Sequence, residues 1–208
     1  MNNLNQYKTN ITPTWCPGCG NFLVYAAIRT ALIKQNIPQE SLFITYDIGC
    51  AGNMADFIKS YGVHTLHGRA VPVAMGAKIA NSKLVVCVIG GDGGLYGEGL
   101  NHLIAAARLN IDIKVFVSNN YLYSLTTGQA SPTTPKGAAT KSTPLGVESE
   151  PIDALKLLKS VNKGLFLERV DGRDHFNLNK AILGAFDHQG FALVDIIQEC
   201  IAFGKQLK

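Results

Sequence analysis

GDGGLYGEGLNHLIAAARLNIDIKVFVSNN, Gly91 to Asn120, decides how this chain is read. It follows the apolar run LVVCVI and ends on an Asn pair that closes a second apolar run. The stretch therefore holds one strand-to-helix turn, one helix and one strand. About that much chain is needed to cross from the C-terminal end of one parallel strand to the same end of its neighbour. Asp92 and Asn120 should then lie side by side in the crevice where open α/β sheets bind ligands. Their chemistry suits a magnesium-bound diphosphate, since a carboxylate and an amide carbonyl are both hard oxygen donors. Gly91, Gly93 and Gly94 offer backbone without side chains at a helix start, where free N–H groups and the dipole favour anions. Two unrelated turns would also give a Gly-Asp-Gly and an Asn pair; the spacing is what favours a site.

Outward from this segment the pattern repeats. Strand-like runs fall at Leu42–Tyr46, Leu84–Ile89, Ile111–Ser118, Leu165–Val170 and Ala192–Ile197. LVVCVI is apolar throughout, as a strand covered on both faces should be. Helical periodicity lies between the strands: Val24, Ala27, Ile28 and Ala31 share one face, and so do Leu100, Leu103, Ile104 and Ala107. A third helix is expected over Pro151–Ser160, with Pro at its start where a missing N–H costs nothing. The alternation predicts an α/β fold, a single domain over residues 1–208 with a mostly parallel sheet and helices on both faces. From Thr126 to Pro151 neither period holds, and Thr, Ser, Pro and Gly dominate. A loop that long in a compact domain is usually functional, and this one begins beside the proposed metal ligand.

Five cysteines need a reading. MNNLNQYKTN has no apolar core of a signal peptide, and no apolar run reaches membrane-span length, which predicts a cytoplasmic protein. Structural disulfides are rare there. Cys16 and Cys19 form a C-x-x-C turn around Pro17 and Gly18. A thioredoxin-like pair should follow a strand, and none precedes it. Zinc would want a second pair at close spacing. An iron–sulfur cluster needs four thiolates, which Cys50 and Cys200 complete if the fold gathers them. Spacing alone leaves zinc and cluster level. Cys87, inside LVVCVI, reads as a core residue.

The net charge of +4 comes from 19 basic and 15 acidic residues scattered along the chain, which argues against a nucleic-acid surface. The apolar share of 47% against 16% charged argues against disorder. In HTLHGRA, His64 and His67 read most simply as a short strand running into a helix. The alternative is a second strand-to-helix turn at the same sheet edge. His102, within the helix after the GDG, is given no role.

The Gly91–Asn120 stretch resembles the thiamine diphosphate motif. The following YLYSLTTGQASPTTP, Tyr121–Pro135, is similar to the β subunits of the 2-oxoacid:ferredoxin oxidoreductases. The likeness continues in TWCPGCGN (Thr14–Asn21), DIGCAG (Asp47–Gly52), HTLHGRAVPVAMGAKIAN (His64–Asn81) and QEC (Gln198–Cys200), so it covers nearly the whole chain. It implies the diphosphate-binding type of thiamine diphosphate fold, with magnesium on Asp92, Asn120 and the backbone carbonyl of Leu122. It implies a 4Fe-4S cluster on Cys16, Cys19, Cys50 and Cys200. Ile48, Gly49, Cys50 and Ala51 would line the cofactor, with His67, Gly68 and Arg69, the glycines Gly91, Gly93 and Gly94, and Ser124, Leu125 and Thr126.

By the same resemblance the chain is one half of an enzyme. It would oxidatively decarboxylate a 2-oxo acid, pyruvate-like, to acyl-CoA and carbon dioxide, passing electrons through the cluster to ferredoxin. The glutamate that activates the aminopyrimidine would come from an alpha (or alpha/gamma) partner subunit. Two departures stand out. Thr127 occupies a position where related chains often carry Gly or Lys, so no basic residue meets a coenzyme A phosphate there. Gly94 replaces the more usual Asp, with consequences expected for the partner contact or nearby hydrogen bonds. The rival readings are a non-redox thiamine diphosphate decarboxylase or synthase subunit, which has no use for four cysteines, and a zinc-stabilised interaction subunit, which has none for the metal–diphosphate motif.

Overall fold

In a strand buried on both sides, alternate side chains enter two different cores, and the third strand of this chain shows it. The computed structural model describes residues 5–207. In β3 (Val85–Gly91), Val86 and Val88 pack into one core and Cys87 and Ile89 into the other. Six strands form one wholly parallel sheet: β1 (Leu42–Tyr46), β2 (Tyr61–His64), β3, β4 (Lys114–Asn119), β7 (Phe166–Asp171) and β8 (Ala192–Ile197). A short antiparallel pair, β5 (Leu122–Tyr123) with β6 (Gln129–Ala130), stands apart from it.

The sheet order is β2-β1-β3-β4-β8-β7. Helices α1 (Asn21–Lys34) and α5 (His175–Asp187) cover one face, and α2 (Ala70–Ala80), α3 (Leu100–Leu109) and α4 (Ala154–Val161) the other. Each buried Val, Leu or Ile of these two cores contributes about 1.5–3 kcal/mol. The chain leaves β1 toward one sheet edge and β3 toward the other. The crevice of an open sheet falls at such a reversal, here at the C-terminal ends of β1 and β3.

Among the expected strands, β1 and β8 have the expected limits; β3, β4 and β7 are shifted by one to three residues at their ends. The sixth parallel strand, β2, has no counterpart among the expected runs. It is an edge strand exposed at all four residues, so burial imposed no pattern on YGVH. The helix placed at Pro151–Ser160 starts instead at Ala154. Asp153 caps it by accepting the Lys156 N–H, and Pro151 lies outside. The helix after the GDG also begins late, because Gly93–Glu98 forms a π-helical segment closed by Gly99 N–H to Gly94 O at 2.7 Å. Such segments favour functional sites. Among the described residues no helix is long and apolar enough to cross a membrane.

Candidate functional site

Register brings the two ends of the opening motif together. Gly91 of β3 pairs with Ser118 of β4, so the residues that follow, Asp92 and the Asn pair, leave the sheet side by side. Asp92 Oδ1 accepts the Asn120 backbone N–H at 3.3 Å. Asn120 Oδ1 in turn accepts the Leu122 N–H and the Ser124 hydroxyl, both at 3.1 Å, a local turn that fixes its carbonyl. The Asp92 carboxylate is buried, yet no ion pair among the described residues includes it. A buried carboxylate without a cation is costly. Burial accordingly pushes its carboxyl up to about 6, although the Ser131 and Thr133 hydroxyls and the Asn120 N–H favour the charge. One carboxylate, one amide oxygen and the nearby Leu122 backbone make a hard oxygen set that fits magnesium.

A cavity opens above this point. From the turn after β1 it is lined by Ile48, Gly49, Cys50 and Ala51, and from the GDG turn by Gly91, Asp92, Gly93 and Gly94. Asn120, Leu122, Ser124, Leu125 and Thr126 close the third side, and His67 reaches in from the turn before α2. Two residues expected at the cofactor stand outside its lining. Gly68, at φ 69°, donates its N–H to Asp47 Oδ1 at 2.7 Å. Arg69 is exposed, its Nη1 2.9 Å from His102 Nε2. The Gly68 N–H is thus used by Asp47, and the Arg69 guanidinium meets His102 of α3.

Several lining or supporting residues were not anticipated. Asn21 and Tyr123 also line the cavity. The Tyr123 hydroxyl reaches Gly93 O at 3.3 Å and Glu98 Oε1 at 3.3 Å. His67 Nδ1 lies 3.3 Å from Glu98 Oε2, without hydrogen-bond alignment. Asp47, at the end of β1, is fully buried, and its Oδ2 has no hydrogen-bond partner. Burial raises its carboxyl above the ordinary range, against the pull of the Gly68 and Ile48 N–H groups. Gly94 is buried beneath it, and a side chain there would meet Asp47.

The Thr126–Pro151 segment packs against this site. Ser131 and Thr133 are buried and donate to Asp92 Oδ2 at 2.6 and 2.7 Å. The sequence offered one signal for them, the SPT that follows the Asn pair. Position 127 carries no basic side chain of its own, but Lys141 of the same loop donates to Thr127 Oγ1 at 2.6 Å, both residues exposed.

A second cavity, of about 230 Å³, is lined by Cys16, Cys19, Cys50 and Cys200 together with Trp15 and Phe203. The CxxC closes through Cys19 N–H to Cys16 O at 2.9 Å, and Trp15 Nε1 donates to Cys50 O at 2.6 Å. Burial, then the neighbouring thiols Cys19, Cys200 and Cys16, push the Cys50 thiol up to about 11. Burial first, then neighbouring thiols, also raise the Cys19 thiol, and thiols gathered in this way are suited to a shared cationic group. Among the described residues no three or more His, Cys, Asp and Glu come close enough to share one metal ion, and the four thiols line a common cavity. Cys87 is fully buried in β3, away from them. The two cavities share walls: Asn21, Cys50, Asn120, Ser124 and Leu125 line both.

Residues 47–196 match the family model described as thiamine pyrophosphate enzyme, C-terminal TPP binding domain. The chain is 37% identical over 198 residues to 2-oxoacid:ferredoxin oxidoreductase 1, subunit beta, of Aeropyrum pernix, covering 95% of this chain and 62% of that protein. It is 38% identical over 194 residues to 2-oxoglutarate synthase subunit KorB of Archaeoglobus fulgidus, covering 93% and 72%. This is a 2-oxoacid:ferredoxin oxidoreductase β-subunit family member. The fold is also seen in a chain of 2-oxoglutarate:ferredoxin oxidoreductase from Magnetococcus marinus, at TM-score 0.91 and 33% identity, covering 96% of this chain and 68% of that one. The chain spans from 50% to 72% of the length of curated relatives it matches, 62% for the Aeropyrum protein.

Proposed function

We propose that this chain is the cofactor-binding half of an oxidoreductase that oxidatively decarboxylates a 2-oxo acid and passes the electrons to ferredoxin. The observation that carries the reading is the wall shared by the two cavities. Asn21, Cys50, Asn120, Ser124 and Leu125 line both the cavity that holds Asp92 and the cavity lined by the four thiols. A non-redox decarboxylase has no use for that adjacency.

Asp92, Asn120 and the Leu122 carbonyl would hold magnesium, and Gly91, Gly93 and Gly94 would admit the diphosphate. Cys16, Cys19, Cys50 and Cys200 would hold a 4Fe-4S cluster. Thiamine diphosphate supplies an electron sink for loss of carbon dioxide, and the cluster a one-electron acceptor. What this chain's residues do is bind, orient and exclude water. The Leu122–Thr126 side covers the approach to Asp92, and Trp15 and Phe203 keep the thiol cavity apolar. The Aeropyrum relative is a ferredoxin enzyme subunit, and the Magnetococcus structure holds 2-oxoglutarate, coenzyme A and succinyl-CoA. Coenzyme A is therefore the proposed acyl acceptor, with the Lys141–Thr127 pair as a basic contact in reach. Relatives that act on 2-oxoglutarate sit beside general 2-oxo-acid enzymes, so the substrate is proposed as a 2-oxo acid and not narrowed to pyruvate. The five free thiols suit a cytoplasmic setting.

The test is anaerobic co-purification with the alpha partner, then a screen of 2-oxo acids for coenzyme A-dependent viologen reduction. Reduction that needs both subunits, thiamine diphosphate and magnesium supports the proposal. Decarboxylation by this chain alone, or a preparation without iron and sulfide that remains active, overturns it.

A further inference from the structure

Asp92 has two oxygens in unlike surroundings. Oδ2 receives the Ser131 hydroxyl at 2.6 Å and the Thr133 hydroxyl at 2.7 Å. These are two short charge-assisted bonds to one oxygen, and Asn119 Oδ1, at 3.1 Å, is the more distant alternative acceptor for the Thr133 proton. Oδ1 receives the Asn120 N–H at the longer distance of 3.3 Å. Asp92 lines the cofactor cavity, whereas Ser131 and Thr133 do not: they stand behind the carboxylate.

The two hydroxyls are held from the far side. Ser131 N–H donates to Thr134 Oγ1 at 2.8 Å, and the Thr134 hydroxyl bonds the Tyr121 carbonyl. Pro132 O accepts the Ile152 N–H at 2.8 Å, tying this turn to the start of α4. Ser131, Thr133 and Thr134 are all buried. Neither hydroxyl can swing away without breaking a packed turn.

From this we infer that Ser131 and Thr133 hold Asp92 to coordination through one oxygen, and thereby set the site's preference for magnesium over calcium. The inference rests on the proposed role of Asp92 as a metal ligand. Magnesium takes six ligands in near-ideal octahedral geometry and accepts a carboxylate through a single oxygen. Calcium takes six to eight oxygens and commonly draws both oxygens of a carboxylate. With Oδ2 held by two short bonds from buried hydroxyls, the second mode is opposed, whereas the 3.1 Å contacts at Asn120 Oδ1 are longer and more easily displaced by a metal. Ser131 and Thr133 are thus positioning residues for the metal, acting through Asp92.

The test uses the full chain co-purified with its partner and stripped of divalent ions. Thiamine diphosphate binding is titrated calorimetrically in magnesium chloride and, separately, in calcium chloride. The variants are Ser131→Ala, Thr133→Val, the double variant, Thr133→Ser and Asp92→Ala. Supporting orientation contacts around metal ligands typically change affinity by about 10- to 100-fold. The double variant should therefore lose about tenfold or more in its preference for magnesium over calcium. Thr133→Val alone should move part of that way, and Thr133→Ser, which keeps the hydroxyl, should not move. An unchanged preference in the folded double variant, or in Thr133→Val if the double variant does not fold, overturns the inference provided Asp92→Ala abolishes binding in both salts. If Asp92→Ala binds as well as wild type, the metal-ligand reading itself falls and takes this inference with it.

Discussion

The Asp47 carboxylate occupies the space that any side chain at position 94 would need. A Cβ on Gly94 would fall 1.6 Å from Asp47 Oδ2 and 3.0 Å from His67 Cε1. Three chain segments meet at this point: the end of β1, the turn before α2, and the GDG turn. Asp47 joins the first two through the Gly68 N–H and abuts the third through Gly94.

Gly94→Ala should therefore destabilise the chain by about 1–3 kcal/mol, the usual cost of overpacking. For a chain of this size that lowers the midpoint of thermal unfolding by roughly 2–4 °C per kcal/mol. Asp47→Ala combined with Gly94→Ala should cost less than the sum of the single changes, because the first removes the obstacle to the second. Additive costs in a double-mutant cycle would show that the contact does not govern this position.

A second buried carboxylate is tied up differently. Asp195 of β8 accepts Arg169 Nε at 2.8 Å and Asn119 Nδ2 at 3.1 Å, and Arg169 continues to Asp153, the cap of α4. Asp195 is fully buried. Removing only the cation leaves a buried charge uncompensated, so Arg169→Met should cost roughly 3–5 kcal/mol. Arg169→Met with Asp195→Asn should recover most of that loss. Urea unfolding of the three variants measures it, and equal instability of the single and double variants would refute the charge-pair account.

At the opposite end of the sheet, Asp112 pairs with Lys114 at 2.5 Å and Lys78 at 2.9 Å, and Lys114 also caps the carbonyls of His188 and Gly190. Partial burial works against the Asp112 charge, but the bonds from Lys114 and Lys78 outweigh it and hold the carboxyl below its ordinary value. A lowered carboxyl stabilises the fold above its unfolded value, near pH 3.9, and the stabilisation is lost as pH falls through the lower folded value. Asp112 is partly exposed, so Asp112→Asn should cost only about 1–2 kcal/mol at pH 7. The gap from wild type should hold steady from pH 5 to 8 and close below about pH 4. A gap that widens in acid would reverse the assigned sign.

These contacts show where sequence stops being informative. The meeting of Asp92 with Asn120 can be read from the chain, because two apolar strands and one helix leave only one parallel crossover. The four-cysteine cavity needs tertiary structure, since Cys16 and Cys200 are joined by nothing local. β2 could not be read because an exposed edge strand has no buried face to impose alternation on Tyr61–His64. Ser131 and Thr133 lay in a segment without period, whose order comes from side-chain hydroxyls bonding Asp92 and from turns within the loop. Asp47 was hidden for another reason: burying a carboxylate runs against composition-based expectation, and only the sheet crevice explains it.

The thiol cavity gives the last prediction. Cys16, Cys19, Cys50 and Cys200 line it, while Cys87 lies buried in β3 among aliphatic neighbours. A cluster that depends on four thiolates should fail when any one is replaced by an oxygen ligand. Ser substitution at each of the four should therefore reduce iron and sulfide content and the brown absorbance of the anaerobic protein to a small fraction of wild type. Cys87→Ala should leave all three unchanged and cost only about 1–2 kcal/mol of stability, the price of a small core cavity. The contrast separates ligation from packing, because Cys87 is buried in the core whereas Cys16 is exposed and Cys19, Cys50 and Cys200 are half-buried around the cavity. Cluster loss in Cys87→Ala, or a full iron content in Cys200→Ser, would show that the sulfur ring is drawn from a different set of residues.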